Sequence, residues 1–559
     1  MTEPDPGQAR PAARDPGTPE RPIGDGHTAL IRLTPVAGLD PEECPAIVCC
    51  GGRWEVHGRP MNRTWVKLAP PASAGDSAIE LAEPAGGWRE GDRIIITSVR
   101  RQYSRSGKLP ASVRDRSETE ERTIRAIEGQ RITLDRPLQH VHSRPDGRAG
   151  EVANLSRNVV VESADPDGIR GHTMYHHGSA GSISYAEFRH LGKPGRLGKY
   201  SLHFHRVGDT MRGTSVVGAS IWDSGNRWIT IHGTNTLVVR DCVGYRSLGH
   251  GFFLEDGTEM ENILDRNLAV QALSAKPLPD QVFPLDRNEG AGFWWANSHN
   301  AFTRNVAAEC DTYGFRFDAP EAPGFDLVMP VRGPDGARRR VDIRTLPFLR
   351  FEQNEAHTQR NYGLNLGGGP GEGELGGVGA VGPDERHPFV IRDLHIWDSR
   401  WAFTPASPGV LVDGLSLAEC QYGFWRPLYD RHAYRKVENL RVEFPAAYEG
   451  GQAPDEAAYP SPLRPSDDRP PVTVITRVER RGDRRLLIRG VSVDNDRVRA
   501  VRVNGQPARM PDPGGLDWEA ELEWTGAGQA RVVAGAVDVA GNEELLPHAL
   551  TVPARGSSY

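Results

Sequence analysis

The sequence predicts an all-β protein built around a right-handed parallel β-helix, with an N-terminal β domain before it and a C-terminal immunoglobulin-like β-sandwich after it. Three observations lead there. Glycine (63) and proline (44) are abundant among 559 residues while hydrophobic residues stay at 38%, which argues for many turns on a real core rather than for disorder. Apolar residues come in short runs closed by Asn, Asp or Gly, as short strands and tight corners require. The runs recur about every 22 residues, as from Phe293 to Phe315 and from Phe403 to Phe424, a period that suits one β-helix coil, whereas a propeller blade needs about twice as much.

Taken in order, residues 1–27 hold six prolines and no apolar core and read as a disordered tail. Residues 28–150 carry β-type runs, among them Ala46–Cys50, Trp65–Leu68 and Arg93–Thr97, and read as the N-terminal β domain. The recurring runs place the β-helix at 151–440. Pro, Gly and acidic residues mark 441–470 as a linker. Turn-bounded alternation such as VTVITRVER, RLLIRGVSV and WEAELEW assigns 471–553 to the sandwich.

Composition excludes several classes. The net charge is −7, and the six lysines and 61 arginines leave no global basic surface, so nucleic acid is a poor partner. No stretch reaches the length of an apolar membrane span. Six scattered cysteines form neither a disulfide framework nor a zinc motif.

Strand side chains alternate between faces, so the second run of each coil sorts into ladders. Leu202, Ile229, Phe252, Phe293, Phe315 and Leu364 form one apolar series, and Phe204, Ile231, Leu254, Trp295, Phe317 and Leu366 the next; both point inward. Between them His203, Thr230, Phe253, Trp294, Arg316 and Asn365, then His205, His232, Glu255, Ala296 and Asp318, point outward. Imidazoles, carboxylates, an arginine and aromatics on one face suit an elongated acidic polysaccharide, which needs acids and bases, sugar platforms and a cation for its uronates. A solvated strand face is polar too, but the choice of His, Glu and Asp over Ser, Thr and Lys favours chemistry. Insertions at 269–290 and 319–348 are placed to wall this face into a groove. Coil stacking puts Glu255 and Asp318 roughly 10 Å apart, nearer the spacing for inverting than for retaining glycoside hydrolysis. Asp256, at the strand end, can turn toward the same groove. A lyase would instead use His205 or His232 as base at the sugar C5, with Arg316 against the carboxylate.

Longer motifs then carry a resemblance. GHTM (171–174), ISYAEFRHLG (183–192), LGKYSLHFH (197–205), DSGNRWITIHGTN (223–235) and LGHGFFLEDG (248–257) resemble the β-helix of the family of the cell-migration-inducing hyaluronan-binding protein and transmembrane protein 2. Within 49–160, CGGRWEVHG, GWREGDRIII and EVANLSRN look like the second half of that family's eight-glycine domain. The resemblance implies a calcium-dependent, extracellular or cell-surface enzyme class that cleaves hyaluronan, and it leaves the metal ligands unassigned. Carried over by motif are His203, His205, Asp223, Asn226, Arg227, His232, His250, Glu255 and Asp256. The arginine bias and the DVAGN segment at 538–542 suggest a bacterial relative, whose substrate need not be hyaluronan. The first half of the eight-glycine domain and a signal peptide are not seen, which points to a start further upstream.

The leading expectation is therefore hydrolysis of a uronate-containing glycan. Glu255 or Asp256 is the acid and Asp318 the base, while His203, His205 and His232 polarise groups or move protons. Trp294 and Arg316 bind sugar and uronate, with Asn226, Arg227 and His250 as further binding candidates. Simpler roles compete: corner capping for Asp223 and Asn226, pairing with Asp223 for Arg227, a buried structural imidazole for His250, and a covering loop over Trp294. A lyase in the same groove and a non-catalytic glycan-binding or adhesion protein are the rival functions.

Overall fold

The computed structural model describes residues 17–18, 21–101, 112–281, 283–284, 286–367, 382–424, 432–440, 442, 444–446, 463, 465–482, 484–512, 514–524 and 528–554. Among the described residues regular structure is all β apart from two 3-10 turns. Each coil of the parallel β-helix visits three ladders in turn. In the coil leading to Glu255, Ile229–Thr234 is followed by Val238–Arg240 and Val243–Leu248, and Phe252–Leu254 then returns beside Ile229–Thr234. The ladder holding Ile229–Thr234, termed the site ladder, runs in parallel from Ala46–Cys49 to Phe444–Ala446.

The register matches the sequence reading. His205 lies beside His232, Phe253 beside Trp294, and Trp294 beside Arg316. Inside the coil Phe252, Phe293 and Phe315 stack with ring centroids 4.8 Å apart, so the strand spacing is also the aromatic stacking distance. Gly251 is required where a coil closes over Trp228, because a Cβ there would meet the indole at 2.4 Å.

Polar corners explain the Asn-closed runs. Between the second and third ladders Asp241, Arg266, Arg304 and Gln353 adopt left-handed backbone with φ of 52 to 55°. The residues after the last three are Asn267, Asn305 and Asn354, all fully buried. Their Oδ1 atoms accept the N–H groups of Cys242, Asn267 and Asn305 in the preceding coil. Their Nδ2 atoms donate to the carbonyls of Val239, Leu264 and Phe302, so a buried amide ladder satisfies backbone that neither sheet can reach.

Three boundaries differ from the sequence reading. Ala29–Leu33, Ala46–Cys49 and Val56–His57 pair with Val159–Ser163, His172–Tyr175 and Ile183–Ser184, so residues 29–57 are the first coil rather than part of a separate domain. The closed antiparallel barrel is shorter, from Trp65–Ala69 to Glu151–Asn154, and is inserted within a coil. Local composition cannot distinguish a strand that pairs with its neighbour from one that pairs 130 residues away. Of the tail assigned to 1–27, residues 1–16, 19 and 20 lie outside the described residues, but Ile23 is tied to the coil through the His57 carbonyl and the Asn158 amide. Most of the linker assigned to 441–470 also lies outside them, and Phe444–Ala446 still extends the site ladder.

The barrel rests on the third ladder through Trp65, Ile95 and Leu155 against Trp222, Tyr245 and Leu268. Beside that contact Lys67 bonds Glu151 and Glu355 at 2.5 and 2.7 Å while His357 bonds Glu151 at 2.9 Å. The C-terminal unit has a three-stranded and a four-stranded antiparallel sheet around one core. It packs on the second ladder through Val472, Val474, Val491, Val493 and Leu516. No helix among the described residues is long and apolar enough to cross a membrane, which says nothing about β-barrel insertion.

Candidate active site

The outward side of the site ladder divides into two parts. Downstream it is covered: Phe283 of the 269–290 insertion lies 5.3 Å from Trp294, which stacks on Phe253 at 4.5 Å, and Phe325 of the 319–348 insertion packs on Phe283 at 4.6 Å. Trp294 is only 2% exposed, so it is a packed aromatic and not an open sugar platform. Arg316 is buried as well, bonded to Asp318 at 2.8 Å and to Asn365. Burial pushes the Asp318 carboxyl up while Arg316 pulls it down. The expectation that Trp294, Arg316 and Asp318 line an open groove is thereby corrected, because Phe283 and Phe325 of the insertions cover Trp294, and Arg316 and Asp318 are engaged with each other.

Upstream the face opens on a cavity of about 430 Å³, lined by His172, His176, Lys199, His203, His205, His232, Glu255 and Glu43 among others. At its floor sits Glu255, next after the Phe252–Leu254 strand. Its Oε1 accepts from the Tyr200 hydroxyl at 2.6 Å and Arg227 Nη1 at 3.1 Å. Its Oε2 faces His232 Nδ1 at 3.1 Å and His203 Nε2 at 3.5 Å. Burial opposes the Glu255 charge, but the two imidazoles and Arg227 outweigh it and hold the carboxyl well below its ordinary value. Glu255 is thus an ionised anchor rather than a proton donor.

His232 lies between two carboxylates, with Nε2 3.2 Å from Asp256 Oδ2. Neither contact is well aligned as a hydrogen bond, so both are ion pairs. Burial works against the imidazolium, yet Asp256 and Glu255 raise His232 to about 10. His232 holds the Asp256 carboxyl down, while burial and the Asp256 charge push its neighbour Glu259 up.

His205 is the opposite case. Its ring centroid lies 4.8 Å from that of His232, its Nδ1 has no partner, and burial together with the surrounding imidazoles brings it down to about 3. It is a neutral imidazole with one buried nitrogen left unpartnered. His203 donates Nδ1–H to the Gly198 carbonyl at 3.0 Å, and burial lowers it too.

The other sequence candidates form a supporting layer. Arg227 is fully buried and bridges Glu255 to Asp286, with Nη2 2.7 Å from Asp286 Oδ2. His250 accepts the Ala291 N–H on Nδ1 and donates Nε2–H to Asp286 at 2.8 Å. Asn226 caps a corner through the carbonyls of Lys193 and Arg196. Asp223 binds His190 and Arg170 rather than Arg227. Sequence reasoning missed Tyr200, Glu259 and Asp286. Tyr200 was visible just ahead of HisPheHis, but Asp286 lies inside an insertion with no periodic signal.

Ring nitrogens of His203, His205 and His232 come within 4.8 Å of one another. A borderline metal would accept such donors, but His232 presents both nitrogens to carboxylates and has no lone pair to give. Calcium, which the resemblance implies, takes roughly six to eight oxygen ligands, and this imidazole-rich set does not fit it.

Comparison with known proteins bears on the same segment. Residues 168–364, which contain the whole cluster, match the family model described as CEMIP beta-helix. Fibrocystin-L of Mus musculus is 31% identical over 369 residues, covering 56% of this chain and 8% of that protein. A G8 domain-containing protein of Dictyostelium discoideum is 30% identical over 302 residues, covering 51% of this chain and 26% of that one. The chain thus spans under a third of either relative. The tailspike protein gp49 of Pseudomonas phage LKA1 aligns over 94% of this chain and 85% of its own, at 12% identity and a TM-score of 0.23, too slight a likeness to bear on the site. The cavity therefore lies in a parallel β-helix similar to that of the CEMIP family.

Proposed function

We propose that this cavity binds a uronate-containing glycan, hyaluronan being one candidate, and cleaves it with an imidazole pair. The observation that carries the reading is a neutral, unpartnered His205 with its ring 4.8 Å from a charged His232. A neutral imidazole able to act as base and a fixed positive charge meet in one cavity. The carboxylate pair expected for hydrolysis is not assembled there. Glu255 and Asp256 both hold His232, and Asp318 sits two coils away on Arg316.

This arrangement favours β-elimination over hydrolysis. His205 takes the C5 proton of the uronate, the C4–O bond breaks and water protonates the departing oxygen, leaving a C4=C5 double bond, while the charged His232, its nitrogens held by Glu255 and Asp256, offsets the negative charge that builds on the uronate. Glu255 and Asp256 hold the His232 proton in place, and Arg227, Tyr200 and Asp286 fix Glu255. Incubating the chain with hyaluronan and chondroitin tests this. Shortened polymer with ends that absorb in the near ultraviolet supports elimination. Shortening without that absorbance would reassign the imidazoles to activating water, and retention without shortening would leave a binding protein.

A further inference from the structure

Away from the cavity, a second cluster of ionisable groups stands where the C-terminal unit meets the β-helix. We infer that the carboxylates of Asp467, Asp494 and Asp538, with the side-chain oxygen of Asn495 beside them, form a binding site for a hard divalent cation, calcium by its donor set. One oxygen of each carboxylate lies within 4.8 Å of the others. Asp494 and Asp538 are fully buried.

The hydrogen bonds of the cluster leave three of its buried oxygens unpaired. Asp538 accepts the N–H groups of Gly541 and Asn542 on Oδ1 and the Asn542 amide on Oδ2, at 2.6 to 2.7 Å, which leaves an Oδ2 lone pair for a cation. Asp494 uses Oδ2 to accept from Asp496 N at 2.9 Å, but its Oδ1, though buried, has no donor, and neither has Asp467 Oδ2 or Asn495 Oδ1. Among the described residues no arginine or lysine makes an ion pair with any of the three carboxylates. Arg350 is engaged with Glu352 at 2.5 Å and with the Asp496 carbonyl at 2.7 Å. Unpaired oxygens of buried, mutually repelling carboxylates are costly, and an oxygen-seeking cation relieves both penalties at once.

Its position suggests what the cation would do. Asp467 precedes the first strand of the unit, Asp494 and Asn495 lie in the turn after Arg485–Val493, and Asp538 ends Ala530–Asp538. The same turn is held to the β-helix by Arg350 and by Arg392, which donates to the Asn495 carbonyl at 2.9 Å. Asn542 donates to the Asp467 carbonyl at 3.0 Å. A cation bound here ties three segments together at the junction, so binding stabilises the docked C-terminal unit.

The test uses the full chain stripped with chelator and titrated with calcium chloride, followed by calorimetry and thermal melting. The expected result is one calcium per chain, a midpoint that rises with calcium, and affinity at least about tenfold weaker in Asp494→Asn and in the partly exposed Asp467→Asn. Absence of binding by the wild type, or unchanged affinity in a folded Asp467→Asn, would overturn the inference. His205→Ala keeps calcium binding intact, so failure here is separate from failure of the glycan-cleaving reading.

Discussion

Glu255→Gln removes a charge and almost no volume, so it isolates what the anion does to His232. The imidazole stands at about 10 against an ordinary 6.5, which at 1.36 kcal/mol per unit is about 5 kcal/mol of preference for the charged ring. Glu255 and Asp256 share that preference at 3.1 and 3.2 Å. Because the two carboxylates also offset the burial penalty, equal shares mean that the variant loses more than about 2–3 kcal/mol of that stabilisation and that its His232 titrates well below the wild type. Because the folded value lies above the unfolded one, this stabilisation is complete below about pH 6.5 and is lost as pH rises toward about 10. Thermal midpoints taken across that window should fall more steeply in the wild type than in Glu255→Gln, and histidine-selective carbon-13 NMR should show the displaced titration directly. Equal slopes with an unshifted His232 resonance would refute the assignment of Glu255 as the group that holds the proton.

Other expectations follow from the same geometry. Asn305→Ala breaks the buried amide ladder and should cost about 1–3 kcal/mol for each group left unsatisfied, read as a lower midpoint with cavity activity retained just below it. Gly251→Ala forces a methyl onto Trp228 and should cost about 1–3 kcal/mol by overpacking, which denaturant melting measures. Trp294→Ala should lower stability by about 3–5 kcal/mol without the selective loss of glycan affinity that an open platform would show. Cleavage should hold a plateau across neutral pH and decline toward about 10 as His232 loses its proton; a bell centred near pH 6.5 would contradict the assigned protonation states.

Much of the β-helix was legible because its signal is periodic. The inward Phe252, Phe293 and Phe315 and the outward His205 and His232 fall in register once a 22-residue repeat is recognised, and a one-residue slip would have exchanged the faces. Residues 29–57 were misplaced because strand pairing across an inserted barrel leaves no local trace. The site was legible where its residues belong to the ladder, as with His203, His205, His232 and Glu255. It was illegible where the chain leaves the coils. Phe283 and Phe325 decide that Trp294 is covered, and Asp286 decides what Arg227 and His250 do, yet all three come from insertions whose return path no repeat encodes. Protonation was also beyond the sequence, since it depends on which of several neighbouring ionisable groups stand against His232 and which leave His205 alone.

The central claim is that His205 acts as base on a uronate whose developing charge His232 offsets. Its most direct test is the near-ultraviolet absorbance of hyaluronan and chondroitin digests made with the wild type and with folded His205→Ala. The account predicts unsaturated ends that accumulate with the wild type and are lost in the variant while polymer binding persists. Equal absorbance from both proteins, or none from the wild type on either polymer, would contradict it.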